Sequence, residues 1–261
     1  MNTDIKMTIT ISDMVNYAQY QNKIPVIRNI VIENQSNDVY RNIILRASCD
    51  DEIINDSQIE ISEIPVQNSI QIKDFDIDIN SQKLSELTER IQTQIRFQLI
   101  CENDVMVSET EQVTVLAFDE WQGISYCPEL VAAFVTPNDE CIAPVMTSAS
   151  EYLKKWTQDP SFDGYQRKNP KRILDQVASI YSAIKDLNIT YSEPPASFEN
   201  IGQRVRLCNK VLSQKFGTCL DLSLLFVSCM ESVGLHTLLL CDLCIKVTLN
   251  GVPHQGMRLT A

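Results

Sequence analysis

The residues best placed to do chemistry lie in Phe216-Gly217-Thr218-Cys219-Leu220-Asp221. Thr218 and Asp221 fit the Ser/Thr-x-x-Asp/Glu pattern that caps a helix, which makes Thr218 the N-cap and Cys219 the first helical residue. Leu222, Leu225, Phe226, Cys229 and Val233 then recur at helical spacing, and Gly234 is a natural stop. A thiol in that first turn faces the positive end of the helix dipole, which lowers its pKa and favours the nucleophilic thiolate. The competing role is structural: free cysteines are commonly buried as small hydrophobes, and the chain has 9 of them. A thiolate also needs a base, normally a histidine held by Asp or Asn. Only His236 and His254 are available.

Smaller constellations carry less. Cys241-Asp242-Leu243-Cys244 is a single Cys-x-x-Cys pair. A structural zinc site takes four ligands and no second pair exists, so neither metal nor other cofactor is expected. Lys154-Lys155, Arg167-Lys168 and Lys171-Arg172 form a modest basic cluster of the kind that solvated helix faces produce. Arg204 and Arg206, just before the Cys219 helix, are read as structural pairing partners. No P-loop pattern is present.

Composition narrows the classes. A chain of 261 residues, 44% hydrophobic, holds one large or two ordinary domains. No apolar run approaches the roughly 18 residues that a membrane span needs. Met1-Asn2-Thr3-Asp4 does not begin a secretory signal, and an odd number of scattered cysteines suits a reducing cytoplasm, which is the expected location. Residues 1–120 carry 21 acidic and 9 basic side chains, whereas 121–261 carry 13 of each, so the whole net charge of −12 resides in the first half. Such a surface is a poor partner for nucleic acid.

The positioning elements follow from periodicity. Val26–Ile32, Ile43/Leu45, Ile59/Ile61, Ile70/Ile72, Phe75–Ile79, Ile91–Cys101 and Val113/Val115 alternate as strands do, with polar turns at 34–38 and 102–104. They predict an antiparallel β-sandwich over 20–118, immunoglobulin-like in outline, after an N-terminal tail of 1–19. Ser81–Thr88 reads as a short helix or a crossing loop. Asp119-Glu120-Trp121-Gln122-Gly123 marks a boundary, after which the period becomes helical. Helices are expected over Pro128–Val135, Ile142–Trp156 and Pro170–Leu187, a lead-in over Val205–Phe216, then the Cys219 helix and a strand over Leu235–Val247.

Several stretches in order resemble a bacterial family: Leu130-Val131-Ala132-Ala133-Phe134-Val135-Thr136-Pro137-Asn138, Gly164-Tyr165-Gln166 and Tyr191-Ser192-Glu193-Pro194-Pro195-Ala196-Ser197-Phe198-Glu199. Gly202-Gln203-Arg204-Val205-Arg206-Leu207, Gly217-Thr218-Cys219-Leu220-Asp221-Leu222 and Glu231-Ser232-Val233-Gly234-Leu235-His236 complete the set. Together they are similar to the N-terminal region of very large bacterial proteins. Those proteins join a β-sandwich and a transglutaminase-like (papain-like) α+β domain to a superfamily 1 helicase core and often a restriction-endonuclease-like domain, in mobile-element or anti-phage defence settings. The resemblance covers about 20–240. It implies an α+β class, a transglutaminase-like domain over 119–240 and Cys219 as the inherited nucleophile.

The family pattern also places a Gly-His-Ala about ten residues after the Gly-Leu that ends the cysteine helix, and its histidine would be the base. Here Thr237–Ile245 holds no such triplet. The codons of Ile245–Leu249, read in another frame, can spell Lys-Gly-His-Ala, which implies an out-of-frame tail over 241–261 and an incomplete domain. His254 is the alternative base. The expected function is thus a truncated module of a helicase–nuclease-type protein with a nearly inactive cysteine site. A working cysteine hydrolase or acyltransferase pairing Cys219 with His254, acting on a protein or peptide, is the alternative, and a protein-binding module is the third.

Overall fold

The computed structural model describes residues 4–73, 75–194, 196, 202–241 and 245–249. The chain divides into two units, Met1–Phe118 and Asp119–Ala261, at the boundary that the change of period marks.

The first unit is built from alternation. Its elements are β1 (Ile5–Ile11), β2 (Met14–Val15), α1 (Tyr17–Gln21), β3 (Ile27–Asn34), β4 (Tyr40–Cys49), β5 (Ser57–Ile64), β6 (Asn68–Ile72), α2 (Ser81–Glu86), β7 (Ile91–Cys101) and β8 (Asp104–Val115). One sheet has the order β1-β3-β6, the other β2-β8-β7-β4-β5. All pairings are antiparallel except the short β2–β8 contact. Along β7, Thr93, Ile95, Phe97 and Leu99 are buried while Gln92, Gln94 and Arg96 are exposed, so a slip of one residue would turn the apolar set to water. The β7–β8 hairpin closes through Glu102 and Asn103, both at positive φ (50° and 71°), the backbone that a two-residue hairpin turn matched to strand twist demands. Ile30 and Ile32 from one sheet and Ile43, Leu45, Phe97 and Leu99 from the other belong to one core, each with no exposed surface.

Two expectations change here. Against the expected tail over 1–19, the described residues from 4 on are folded: Ile5–Ile11 pairs with β3, and Ile5 and Met7 enter the core. Phe75, Ile77 and Ile79 are buried as their alternation requires, yet they form no ladder. That segment is tied by one bridge, Ile54–Ile79, and by the bonds Asn55 N–H to Asp78 C=O (2.7 Å) and Asn80 N–H to Ile53 C=O (2.8 Å).

The second unit contains β9 (Glu120–Trp121), a 3-10 helix (Pro128–Phe134), α3 (Ile142–Thr157), α4 (Pro170–Asp186), β10 (Thr190–Tyr191), β11 (Gln203–Arg204), α5 (Cys208–Gln214), β12 (Phe216–Gly217), α6 (Cys219–Glu231), β13 (Thr237–Cys241) and β14 (Ile245–Leu249). Pro170 starts α4 at its first position, and the Asn169 side chain accepts from Lys171 N–H. The expected strand over 235–247 is the β13–β14 hairpin, with Thr237 opposite Leu249. Ile142, Val145 and Ala149 of α3, Ile173, Val177 and Ile180 of α4, and Leu225, Cys229 and Met230 of α6 share a core. Helix α6 is buried almost all round from Ser223 to Met230, as the central helix of a unit must be. The fold as a whole is mixed α and β. Among the described residues no helix is long and apolar enough to cross a membrane.

Candidate active site

Cys219 is the first residue of α6, preceded by a complete capping box. Thr218 N–H donates to Asp221 Oδ2 (2.8 Å), and Asp221 N–H donates to Thr218 Oγ1 (3.4 Å). Asp221 is buried and serves a second loop, accepting from Arg206 N–H at Oδ1 (2.8 Å) and pairing with Arg206 Nη1 at 3.3 Å. The Arg206 guanidinium also lies 4.8 Å from the centre of the Phe216 ring. These contacts lock both the helix start and the strand that leads into it.

Two short ladders complete the surroundings. β10 runs parallel to β12, with Tyr191 opposite Gly217. β11 runs antiparallel to β9, with Gln203 opposite Trp121 and Arg204 opposite Glu120. Gly202 allows the second contact: its φ is +78°, and a Cβ there would lie 2.0 Å from Trp121 O. Gln203 Nε2 donates to Thr218 Oγ1 (3.3 Å). Gln203 Oε1 and Trp121 Nε1 are buried and find no hydrogen-bond partner among the described residues.

The acidity of Cys219 runs against the dipole argument. Burial pushes the thiol up and outweighs the other influences. The Leu220 N–H and the Tyr191 hydroxyl pull it down, while the Asp221 carboxylate just behind pushes it up again. The helix start therefore softens a desolvation penalty rather than delivering a thiolate outright. Tyr191 is raised in turn, first by its own partial burial and then by the charges of Cys219 and Glu193. Other thiols of the unit are held more firmly neutral: burial and Asp139 push Cys141 up to about 12, and deep burial raises Cys229 well beyond the ordinary range.

His236 does not meet Cys219. It follows the far end of α6, its Nδ1 3.8 Å from Glu231 Oε2 and its ring stacked on Tyr165 at 5.9 Å between centres. Cys219 and Glu231 lie at opposite ends of the helix, and at 1.5 Å of rise per residue that separation is about 18 Å. His254 lies outside the described residues, as does Cys244 of the Cys-x-x-Cys pair. Among the described residues no three His, Cys, Asp or Glu side chains gather as metal ligands.

The arginines are absorbed structurally. Arg204 Nε sits 2.9 Å from Asp119 Oδ1. Arg167 pairs with Asp159 and Asp163, Lys171 with Asp175, and buried Arg172 with Asp159 and Asp163. Sequence reasoning missed that Tyr191 pairs beside Gly217 and that Gln203 reaches Thr218, the two residues before the thiol, since nothing local in either stretch announces the ladder that brings it there. Elsewhere in the unit, a largely apolar cleft of about 690 Å³ is lined by Val131 and Ala132 of the 3-10 helix, Val135 just after it, Val227 of α6, and Leu238 and Leu239 of β13.

No known family model matches the chain, and no curated protein matches it in sequence.

Proposed function

We propose that this chain is the N-terminal module of a large bacterial helicase–nuclease-type protein of the anti-phage defence kind. In this reading it is a β-sandwich joined to an incomplete transglutaminase-like domain, with Cys219 as an inherited nucleophile of low activity. The observation that carries the cysteine part is the placement of Cys219 as the first residue of a buried, capping-boxed helix. The two sheets sharing one core support the sandwich. The low activity rests on the raised thiol and on His236 standing at the wrong end of the helix.

Alkylation of the full chain with iodoacetamide across pH 7–10, with mass-spectrometric assignment of sites, tests the nucleophile. Cys219 should react faster than buried Cys208 and Cys229, and its rate should climb steeply toward alkaline pH. A Cys219 as inert as Cys229 refutes the reading. His254→Ala should change any residual acyl-transfer rate by less than about threefold, against the 10²–10⁴-fold that general acid–base help supplies. A large loss would instead promote the working hydrolase with His254 as base. Reading the genomic DNA from the Leu240 codon onward in every frame tests the module: Gly-His-Ala over the codons of Ile245–Leu249, continued in the same frame past the Ala261 codon into a helicase core, is the expected result, and its absence from every frame refutes the reading.

The binding-module reading draws on the cleft beside β13, where the Leu238 side chain is exposed.

A further inference from the structure

In the first unit, β3 and β6 pair from Asn34 opposite Asn68 to Ile30 opposite Ile72, and then separate. Continued, that register would set Ile77 opposite Pro25, which has no N–H to give to a ladder. Between the separated chains lies a groove of about 890 Å³, walled by Ile24–Ile27 on one side and Phe75–Ile79 on the other. We propose that this groove is a β-strand docking site. In it an extended peptide, with alternating apolar residues and an acid at each end, pairs its backbone with Phe75, Ile77 and Ile79. The site lies wholly within the first unit and owes nothing to Cys219.

Phe75, Ile77 and Ile79 are buried, while Asp76 and Asp78 between them are exposed, which is the period of an extended chain. In such a chain the N–H and C=O groups of successive residues point to opposite flanks. One flank is occupied. Asp78 C=O accepts from Asn55 N–H at 2.7 Å, Asp78 N–H donates to Ser57 Oγ at 2.9 Å, and Asn80 N–H donates to Ile53 C=O at 2.8 Å. Residues 75, 77 and 79 therefore direct their backbone groups to the other flank, away from 53–57. The groove opens on that flank, and among the described residues its walls include none of 53–57. The N–H and C=O of Phe75, Ile77 and Ile79 have no hydrogen-bond partner among the described residues.

That row of groups decides the kind of occupant. An apolar small molecule would cover the groove and strand the N–H and C=O groups, whereas a second backbone about 4.8 Å away satisfies them. Five residues of extended chain span about 16 Å, so a peptide core of that length matches Phe75–Ile79. Its side chains alternate between two faces, and the set that joins the buried face of Phe75, Ile77 and Ile79 must be apolar. Charge selects the ends. Lys73 stands just before the stretch, and the continued register sets Lys23 opposite Ile79; both line the groove. Both lysines are exposed, and neither ammonium has an ion-pair partner among the described residues. On the facing wall the Asp78 carboxylate is engaged, accepting from Asn55 Nδ2 at 2.8 Å. A carboxylate at each end of the peptide thus meets a cation, which steers the encounter and fixes its register more than it adds affinity.

The test titrates the full chain with acetyl-Glu-Val-Thr-Val-Thr-Val-Glu-amide at low salt and follows backbone amides by NMR. Saturable binding with a Kd below about 1 mM is expected. On binding, the amides of Phe75, Ile77 and Ile79 should exchange at least about tenfold more slowly, with no change at Asp76 between them. The same peptide with its Val and Thr amides N-methylated keeps its side chains but loses its donors, and should bind at least about tenfold more weakly. Replacing its Glu ends by Lys should weaken binding about threefold or more, as should Lys23→Glu with Lys73→Glu in the chain. The Lys-ended peptide and the charge-reversed chain together should recover the loss, which also shows that this chain is folded. No saturable binding, slowed exchange at every residue or at none, or full binding of the N-methylated peptide overturns the strand pairing. A Lys-ended peptide that binds the unaltered chain as tightly overturns the acidic partner. Slow exchange of the same three amides without peptide, growing with chain concentration, gives the groove to a second copy and overturns the inference.

Discussion

Replacing Asp221 by asparagine should lower stability and raise thiol reactivity at the same time, a combination that a simple folding defect does not produce. The carboxylate is buried and accepts two backbone N–H bonds at 2.8 Å, one from Thr218 and one from Arg206. An asparagine keeps the shape but offers one acceptor oxygen, so its amide nitrogen must face an N–H donor. Losing one charge-assisted hydrogen bond and stranding its donor costs about 2–4 kcal/mol. The Arg206 ion pair adds little, because the arginine side chain is 33% exposed and screened. At about 2–4 °C per kcal/mol for a chain of this size, the melting temperature of the second unit should fall by roughly 5–15 °C. Meanwhile the negative charge behind Cys219, which pushes its thiol up, disappears. The iodoacetamide rate at Cys219 should therefore rise at neutral pH and its pH profile move down. Thermal melts and site-resolved alkylation on one sample measure both. An unchanged melt, or a Cys219 less reactive than in the unaltered chain, would refute the account of what holds this helix start.

Three further outcomes follow from the geometry. Residues 1–118 expressed alone should give a β-type circular dichroism spectrum and a cooperative urea transition. A 20–118 piece, lacking β1 and the burial of Ile5 and Met7, should unfold at lower urea, and equal midpoints would reject the edge-strand role. Gly202→Ala should destabilise the second unit by at least about 2 kcal/mol, because a left-handed φ and a 2.0 Å approach to Trp121 O leave a Cβ no room; a neutral effect in urea titration contradicts this. Asp159 is held well below the usual carboxylate range by hydrogen bonds from Ser161 and by Arg167. Its folded pKa is thus depressed, so the stability it contributes is present above about pH 4, the unfolded value, and is lost as pH falls toward the folded one. Asp159→Asn should shrink the drop in urea midpoint between pH 5 and pH 3, and an unaltered acid limb would argue against that pairing.

Local patterns told most of what was legible in the sequence. Thr218 and Asp221 announced a helix start that the structure shows as a two-way capping box, because capping uses groups three residues apart. The alternation of Ile91–Cys101 gave away β7 and its buried face, and the change of period near Asp119 marked the division between units. What sequence alone could not supply depends on residues distant along the chain. Ile5–Ile11 alternates too, but only its pairing to β3 makes it part of the sheet rather than a tail. Tyr191 comes to lie beside Gly217, two residues before Cys219, through a two-residue ladder, a register that neither segment encodes by itself. The sign of the Cys219 shift was decided by tertiary structure as well. The dipole and first-turn N–H groups belong to the local helix, whereas desolvation depends on how the whole unit packs around the sulfur, and that packing prevails.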